Sequence, residues 1–293
     1  MTRVSIFGSR GQLGVELTNE FAALGYAVTG FGRSEVDITD AHAVEKALSD
    51  HDPELVINAA AYNQVDVAER EPLAAYQVNA LAVRNIAVAC RQLDAKLVHF
   101  STDYVFDGLA GRLYREEDET RPLGAYAVSK LAGEFYARAY LDDALIIRTS
   151  GVYGPAGLQT ARGNFVELML RLAANGQPIR VVEDHVASPT FAPALAARTA
   201  ALIAAGAGGI FHLGGGAPIS WFEWALKIFA EAGLTPPIKP TNEREFRTAA
   251  RRPKFSALSN ARAEAMGIAP MPSLDHAIRS YFASRGRKVN QVS

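Results

Sequence analysis

A tyrosine and a lysine four residues apart, in the run Tyr126-Ala127-Val128-Ser129-Lys130, form the pair whose types and spacing carry the most chemistry in this sequence. At that spacing both side chains lie on one face of a helix. An ammonium beside a phenol lowers the phenol's pKa electrostatically and makes it a usable general acid near neutral pH. Upstream, Ser101-Thr102-Asp103-Tyr104 closes a β-forming run and presents hydroxyls at a strand end, where one can hold a substrate carbonyl. A Y-x-x-x-K pair alone is common on exposed helices. It gains specificity from the strand-end hydroxyls before it and from a third feature at the start of the chain.

That feature is Gly8-Ser9-Arg10-Gly11-Gln12-Leu13-Gly14, a G-x-x-G-x-x-G between a short apolar run and an amphipathic one. Glycines so spaced permit a tight turn and a close approach of backbone to a pyrophosphate, which then rests on the N-terminus of the following helix. The next apolar run ends Val28-Thr29-Gly30-Phe31-Gly32-Arg33, with no acid before Glu35. An acid near this point holds a ribose 2′-hydroxyl, whereas an arginine accommodates a 2′-phosphate. Arg33 therefore favours NADPH, with NADH left open and a solvated surface arginine as the plainer alternative.

Other chemistries find little support. The six histidines (His42, His51, His99, His185, His212, His276) show no metal-ligand spacing, so no metal is expected, and no G-x-S-x-G elbow is present. Lys and Arg number 30 against 31 Asp and Glu, for a net charge of −1, which argues against nucleic acid or an anionic membrane as partner but leaves room for a phosphorylated small molecule. The single cysteine, Cys90, excludes an intramolecular disulfide and reads as a packed core thiol. The longest stretch free of charged residues, Thr199 to Phe222, is broken by several glycines and Pro218, and no targeting segment is visible. A cytoplasmic monomer or homodimer is the expectation.

These groups need a frame, and the first half supplies one. Short runs of Val, Ile and Leu at Arg3–Phe7, Ala27–Gly30, Leu55–Asn58, Lys96–Ser101 and Leu145–Thr149 alternate with amphipathic stretches at Gln12–Leu24, Ala41–Ser49, Leu73–Leu93 and Tyr126–Leu141. Alternation of this kind predicts a doubly wound parallel sheet covered by helices on both faces. Residues 1–150 are expected to form the dinucleotide-binding unit. Residues 151–293, richer in turns, are expected to form a smaller lobe that shares strands with it. Helices are predicted at Asn164–Ala174, Ala192–Ala205, Trp221–Ala232, Asn260–Met266 and Leu274–Ala283, with Arg285 to Ser293 frayed.

Taken together, these residues resemble the extended short-chain dehydrogenases/reductases, and within them the dTDP-4-dehydrorhamnose reductase family. The similarity is carried by Gly8–Gly14, by Ser101–Gly108 (STDYVFDG), by Ser129–Glu134 (SKLAGE) and by matching stretches along nearly the whole chain. The resemblance implies a Rossmann-type fold with a substrate-binding lobe, and NADPH-dependent reduction of the 4-keto group of a nucleotide-activated deoxysugar. Thr102, Tyr126 and Lys130 match the catalytic trio. The implied cofactor contacts are Gly8, Arg10, Gly11, Gln12, Leu13, Gly14 and Arg33 toward the phosphates, Asp37 and Ile38 toward the adenine, and Ala60, Ala61, Tyr62, Tyr126 and Lys130 toward the nicotinamide ribose. Asn79 matches a helix asparagine that helps hold the active-site backbone and is counted with the implied cofactor contacts. Thr102, Asp103, Gly151, Asn164 and His185 fall on the substrate side. Two departures stand out: Gly151 where the family has tryptophan, and the segment Val182–Thr190, with His185 where the family has glutamine. Gly151 either enlarges the sugar pocket or leaves a gap for a neighbour such as Phe106, Tyr153 or the segment around His185. A sibling reductase for another sugar nucleotide or a bulkier ketone is one alternative. A noncatalytic cofactor-binding subunit, like the regulatory partner of methionine adenosyltransferase, is the other.

Overall fold

The computed structural model describes residues 1–159 and 163–289. Strands are β1 (Arg3–Phe7), β2 (Ala27–Phe31), β3 (Leu55–Asn58), β4 (Lys96–Thr102), β5 (Leu145–Thr149), β6 (Ile179–Val182), β7 (Val186–Ala187), β8 (Gly209–His212), β9 (Ile219–Ser220) and β10 (Ile238–Thr241). Helices are α1 (Gln12–Ala23), α2 (Ala41–His51), α3 (Val65–Ala68), α4 (Pro72–Gln92), α5 (Ala125–Tyr140), α6 (Phe165–Ala174), α7 (Ala192–Ala204), α8 (Trp221–Ala232), α9 (Ala261–Ala265) and α10 (Leu274–Val289).

Six parallel strands in the order β2-β1-β3-β4-β5-β8 form the central sheet, an α/β Rossmann-type arrangement. Side chains on each strand alternate between two cores. Val4, Ile6, Leu55, Ile57, Val98 and Ile147 pack on one face against Leu17 and Phe21 of α1 and Leu195 of α7. Val56, Leu97 and Ile146 pack on the other against Val44 and Leu48 of α2 and Val83, Ile86 and Cys90 of α4. Cys90 is fully enclosed, and burial pushes its thiol up to about 12. A third core, around Tyr153, Met169, Trp224, Ile228 and Tyr281, lies in the second half.

Several elements differ from the sequence expectation. No run is predicted for β8, the sheet's sixth strand, although its origin beyond residue 150 is the strand sharing expected of the second half; the small pairings β6–β10 and β7–β9 carry too few residues to show a period. Helix α4 starts with Pro72 at its first turn and passes through a π-helical turn at Gln77–Leu81. Its length and composition are those of a membrane span, yet half of it is buried inside the protein. Helix α10 runs on to Val289, so Arg285 begins no fray; residues 290–293 lie outside the described residues.

Candidate active site

The carboxyl ends of β1–β5 open into a cavity of about 780 Å³, next to the point where the chain reverses direction across the sheet. Its upper wall is the glycine loop. Gly8 sits at φ +75°, and a Cβ there would come within 2.6 Å of Ala60 N. A Cβ on Gly14 would lie 2.0 Å from Gly8 O, so Gly14 does not line the cavity but lets α1 close onto the loop. Gly11 is the N-cap of α1 and brings no side chain to the helix start, which leaves the N-terminus to an anion. A cradle this bare of Cβ atoms, ending on a helix N-terminus, fits the pyrophosphate of a dinucleotide.

Gly8, Arg10, Gly11, Gln12, Leu13, Arg33, Asp37, Ile38, Ala60, Ala61 and Tyr62 all line the cavity. The exposed Arg33 and Arg10 both line it, and the Arg10 guanidinium pairs with Glu35. Glu35 also accepts from Gly32 N–H at 2.6 Å, and these two contacts hold its carboxyl below the usual range. The Gln12 side chain reaches across to the second half, donating to Val152 O (2.7 Å) and accepting from Asn164 Nδ2 (2.8 Å).

The floor belongs to Tyr126 and Lys130, on the first two turns of α5, beside Ser101 at the end of β4. Thr102 is the last residue of that strand, near enough to Tyr126 to lower its pKa, and accepts from Tyr104 N (3.2 Å). The Thr102 hydroxyl also donates to Asp103 Oδ1 (3.1 Å). Lys130 Nζ donates to Phe100 O at 2.6 Å. The expected fall in the phenol's pKa is not what this arrangement produces. Burial outweighs the effect of Thr102 and raises Tyr126 to about 12, while it lowers Lys130 to about 8. The phenol is thus held protonated, the state a proton donor needs.

Behind the floor lies a bracket of buried polar groups. Asn79, on the π-helical turn, accepts from Tyr62 N (2.8 Å) and donates to Tyr62 O (3.0 Å) and Ser129 Oγ (3.0 Å); Ser129 in turn donates to Tyr126 O (2.7 Å). Asn79 is 1% exposed and does not line the cavity, so it is a brace between two cofactor-side walls, not a cofactor contact. One turn beyond Lys130, Glu134 accepts two bonds from Arg148 (2.9 and 2.7 Å) and another from Ser101 Oγ. Breaking a buried pair of this kind costs about 3–5 kcal/mol. Sequence reading missed Glu134 and Arg148 as a unit because they lie on separate elements. His99 is buried beside them and held neutral by desolvation, a packed imidazole that bonds Asn58 at 3.2 Å.

The substrate-side residues are placed differently. Asp103 is enclosed by protein: Ser150 Oγ (2.7 Å) and Ser256 Oγ (2.6 Å) donate to its Oδ2, and burial raises it to about 6. Asn164 caps α6 through Glu167 N (3.1 Å) and shares its amide with Gln12 and Tyr281. Neither carboxamide nor carboxylate lines the cavity. Gly151 adopts φ +49°, and a Cβ there would meet Pro189 Cα at 3.4 Å and the Trp221 ring at 4.0 Å. Phe106 stacks on Tyr114, and Tyr153 packs into the third core against Trp224 and Tyr281; neither is the neighbour. Trp221, from the start of α8, is the aromatic that stands at Gly151. The backbone N–H of Trp221 donates to His185 O (3.2 Å), so the two departures from the family pattern meet here. The His185 ring itself turns toward Asp184 and Glu243.

Comparison with known proteins assigns the family. The RmlD substrate binding domain profile matches residues 2–286. The spore coat polysaccharide biosynthesis protein SpsK of Bacillus subtilis is 37% identical over 285 residues, 97% of this chain and 98% of that protein. A dTDP-4-dehydrorhamnose reductase of Streptomyces griseus is 40% identical over 273 residues, 91% of this chain and 88% of its own. Among solved structures, dTDP-4-dehydrorhamnose reductase from Bacillus anthracis in complex with NADP superimposes with a TM-score of 0.91 at 36% identity, covering 97% of this chain and 99% of that one. With the glycine cradle, the rim arginines and the matched profile in hand, the chain belongs to the dTDP-4-dehydrorhamnose reductase family, and is an oxidoreductase that uses NADPH.

Proposed function

We propose that the chain reduces the 4-keto group of a nucleotide-activated deoxysugar, dTDP-4-dehydro-β-L-rhamnose, to give dTDP-L-rhamnose. The observation that carries this reading is the placement of a protonated phenol, Tyr126, and a buried lysine, Lys130, on the floor of a cavity that ends in a pyrophosphate cradle.

NADPH, when held by the loop Gly8–Gly14, the rim residues Arg10 and Arg33 and the walls Ala60–Tyr62, supplies the hydride for the ketone carbon. Tyr126 protonates the carbonyl oxygen as it becomes a hydroxyl. Thr102, at the end of β4 beside Tyr126, would hydrogen-bond the same oxygen. Lys130 holds positive charge beside the phenol and is placed to engage the nicotinamide ribose. The ion pair of Glu134 with Arg148 fixes the helix turn that carries Lys130. A cytoplasmic location goes with this reading.

A sibling substrate is favoured by one feature: position 151, just past the end of β5, carries no side chain, and the Trp221 ring stands beside it. The test is NADPH oxidation against a panel of 4-keto sugar nucleotides differing in base and sugar. Turnover fastest with dTDP-4-dehydrorhamnose is expected; faster turnover of another panel member would reassign the substrate, and none with any member would remove the reductase reading.

A further inference from the structure

The turn between β6 and β7 and the turn after β10 bring together Asp184, His185 and Glu243, whose candidate ligand atoms all lie within 4.8 Å of one another. His185 is 7% exposed. Its Nε2 is enclosed with no hydrogen-bond partner and lies 4.0 Å from Glu243 Oε2. A buried nitrogen left unpaired costs free energy until something fills its lone pair or takes its proton. The Asp184 carboxylate is already oriented, since both its oxygens accept from Glu243 N–H, at 3.2 and 3.3 Å.

We propose that Asp184, His185 and Glu243 form a binding site for a divalent first-row metal ion, with Zn²⁺ as the ion of best chemical match. One imidazole and two carboxylates are a borderline-to-hard donor set, and the imidazole selects Zn²⁺ over Mg²⁺ or Ca²⁺. Three protein ligands leave a fourth position for water. Zinc bonds to such ligands are ~2.0–2.2 Å long, so the donor atoms must draw in by about an ångström or so. Glu243, 39% exposed at its side chain on an open turn, has the freedom to make that movement. Burial holds the His185 ring neutral, the form that ligates.

A cation already stands at the place. Lys254 Nζ lies 3.6 Å from Asp184 Oδ2 and 3.9 Å from Glu243 Oε2, with its side chain 59% exposed. A flexible, solvated ammonium neutralises the two carboxylates but leaves His185 Nε2 unpaired; a metal ion satisfies all three. Bound there, the ion clips the β6–β7 turn to the turn after β10. It thereby steadies the His185 carbonyl that accepts from the backbone N–H of Trp221.

The full chain, stripped with EDTA, is titrated with ZnCl₂ by calorimetry while thermal unfolding is followed in parallel. One-to-one saturable binding and a higher Tm are expected in the wild type. His185→Gln and Glu243→Gln should each weaken binding by at least the ~10–100-fold that loss of even an outer partner costs a metal site. Glu243 lies on an open turn, so its variant keeps the test decisive if His185→Gln folds poorly. Lys254→Met should tighten binding about fivefold or more, the worth of one unit charge at ~4 Å in water. No binding by the wild type, binding indifferent to the Glu243 variant, or no tightening in Lys254→Met overturns the site.

Discussion

The two walls of the active site are built from different materials. On the cofactor side the wall is mostly backbone: Gly8 and Gly11, the open N-terminus of α1, and the short strand ends at Ala60 and Ala61. Behind the opposite side it is side chains holding one another, set back from the cavity lining: Asp103 with Ser150 and Ser256, Asn164 behind Gln12, and Trp221 against Phe165 and Trp224. A backbone wall recognises what every dinucleotide has in common. The two departures from the family pattern, at Gly151 and His185, both fall in this side-chain packing and not on the cavity lining. The floor between them, Tyr126 and Lys130, serves either side.

The largest effect tests the floor. Tyr126→Phe removes the proton donor and keeps the ring, so turnover should fall by about 10²–10⁴-fold while NADPH affinity stays near wild type. Steady-state rates and a binding titration measure the two halves of that statement. A variant that turns over like wild type would move the donor elsewhere, and one that loses NADPH affinity in step would make Tyr126 part of the cofactor wall.

Arg33→Ala tests whether the cofactor wall discriminates through a side chain at its rim. A guanidinium on a 2′-phosphate makes charge-assisted bonds worth about 1.5–3 kcal/mol, which NADH has no means of using. NADPH affinity should therefore fall roughly 10- to 150-fold, with NADH affinity almost unchanged. Equal losses for both would leave Arg33 a solvated residue and give the discrimination to Arg10.

The floor has a pH signature as well. Burial lowers Lys130 from its ordinary range to about 8, so the free enzyme loses this ammonium as pH rises through 8. NADPH affinity should then decline by up to about tenfold per pH unit, and Lys130→Met should flatten the profile. Stability moves the other way. The unfolded lysine holds its proton up to a higher pH than the folded one, so between about pH 8 and 10.5 the unfolded state binds more protons and this group's contribution to stability rises with pH. Affinity and Tm shifting in opposite directions over that window would separate the titration of Lys130 from general alkaline unfolding.

How much was legible beforehand follows the same division. The glycine loop, the Tyr126/Lys130 spacing and five of the sheet strands are local patterns, readable because every residue involved is a near neighbour in sequence. The Asp103–Ser256 bond spans 153 positions, and no local period announces such a partner. Strand β8 is four residues opening on glycine, and the π-helical turn that aims Asn79 sits inside an ordinary helical pattern. The cluster of Asp184, His185 and Glu243 was invisible for the same reason, since its residues come from two turns that only the β6–β10 pairing brings together. The pKa of Tyr126 was misjudged because spacing reports the lysine's proximity and not the burial of both groups.

Trp221 gives the smallest and most discriminating test of the side-chain wall. Its ring packs edge-on to Phe165 at 4.8 Å and tilted to Trp224 at 5.2 Å, and it lies 4.0 Å from where a Gly151 Cβ would be. Those aromatic neighbours hold it in place without using up its surface, which is only partly buried. If this indole is the sugar-side wall that Gly151 lacks, Trp221→Ala should raise KM for the keto sugar roughly 2- to 12-fold, the worth of about 0.5–1.5 kcal/mol in aromatic contact. In the same variant kcat and NADPH affinity should hardly move, because neither the floor nor the backbone wall is touched. Gly151→Trp should not rescue it. Position 151 has a left-handed φ that strains any side chain, and Pro189 Cα stands 3.4 Å from the first atom such a side chain would add. The expected reading of the double variant is therefore a lower Tm with no recovery of KM. Recovery of KM would show that the indole can be returned to position 151, and that the backbone there yields more readily than the cofactor wall it adjoins.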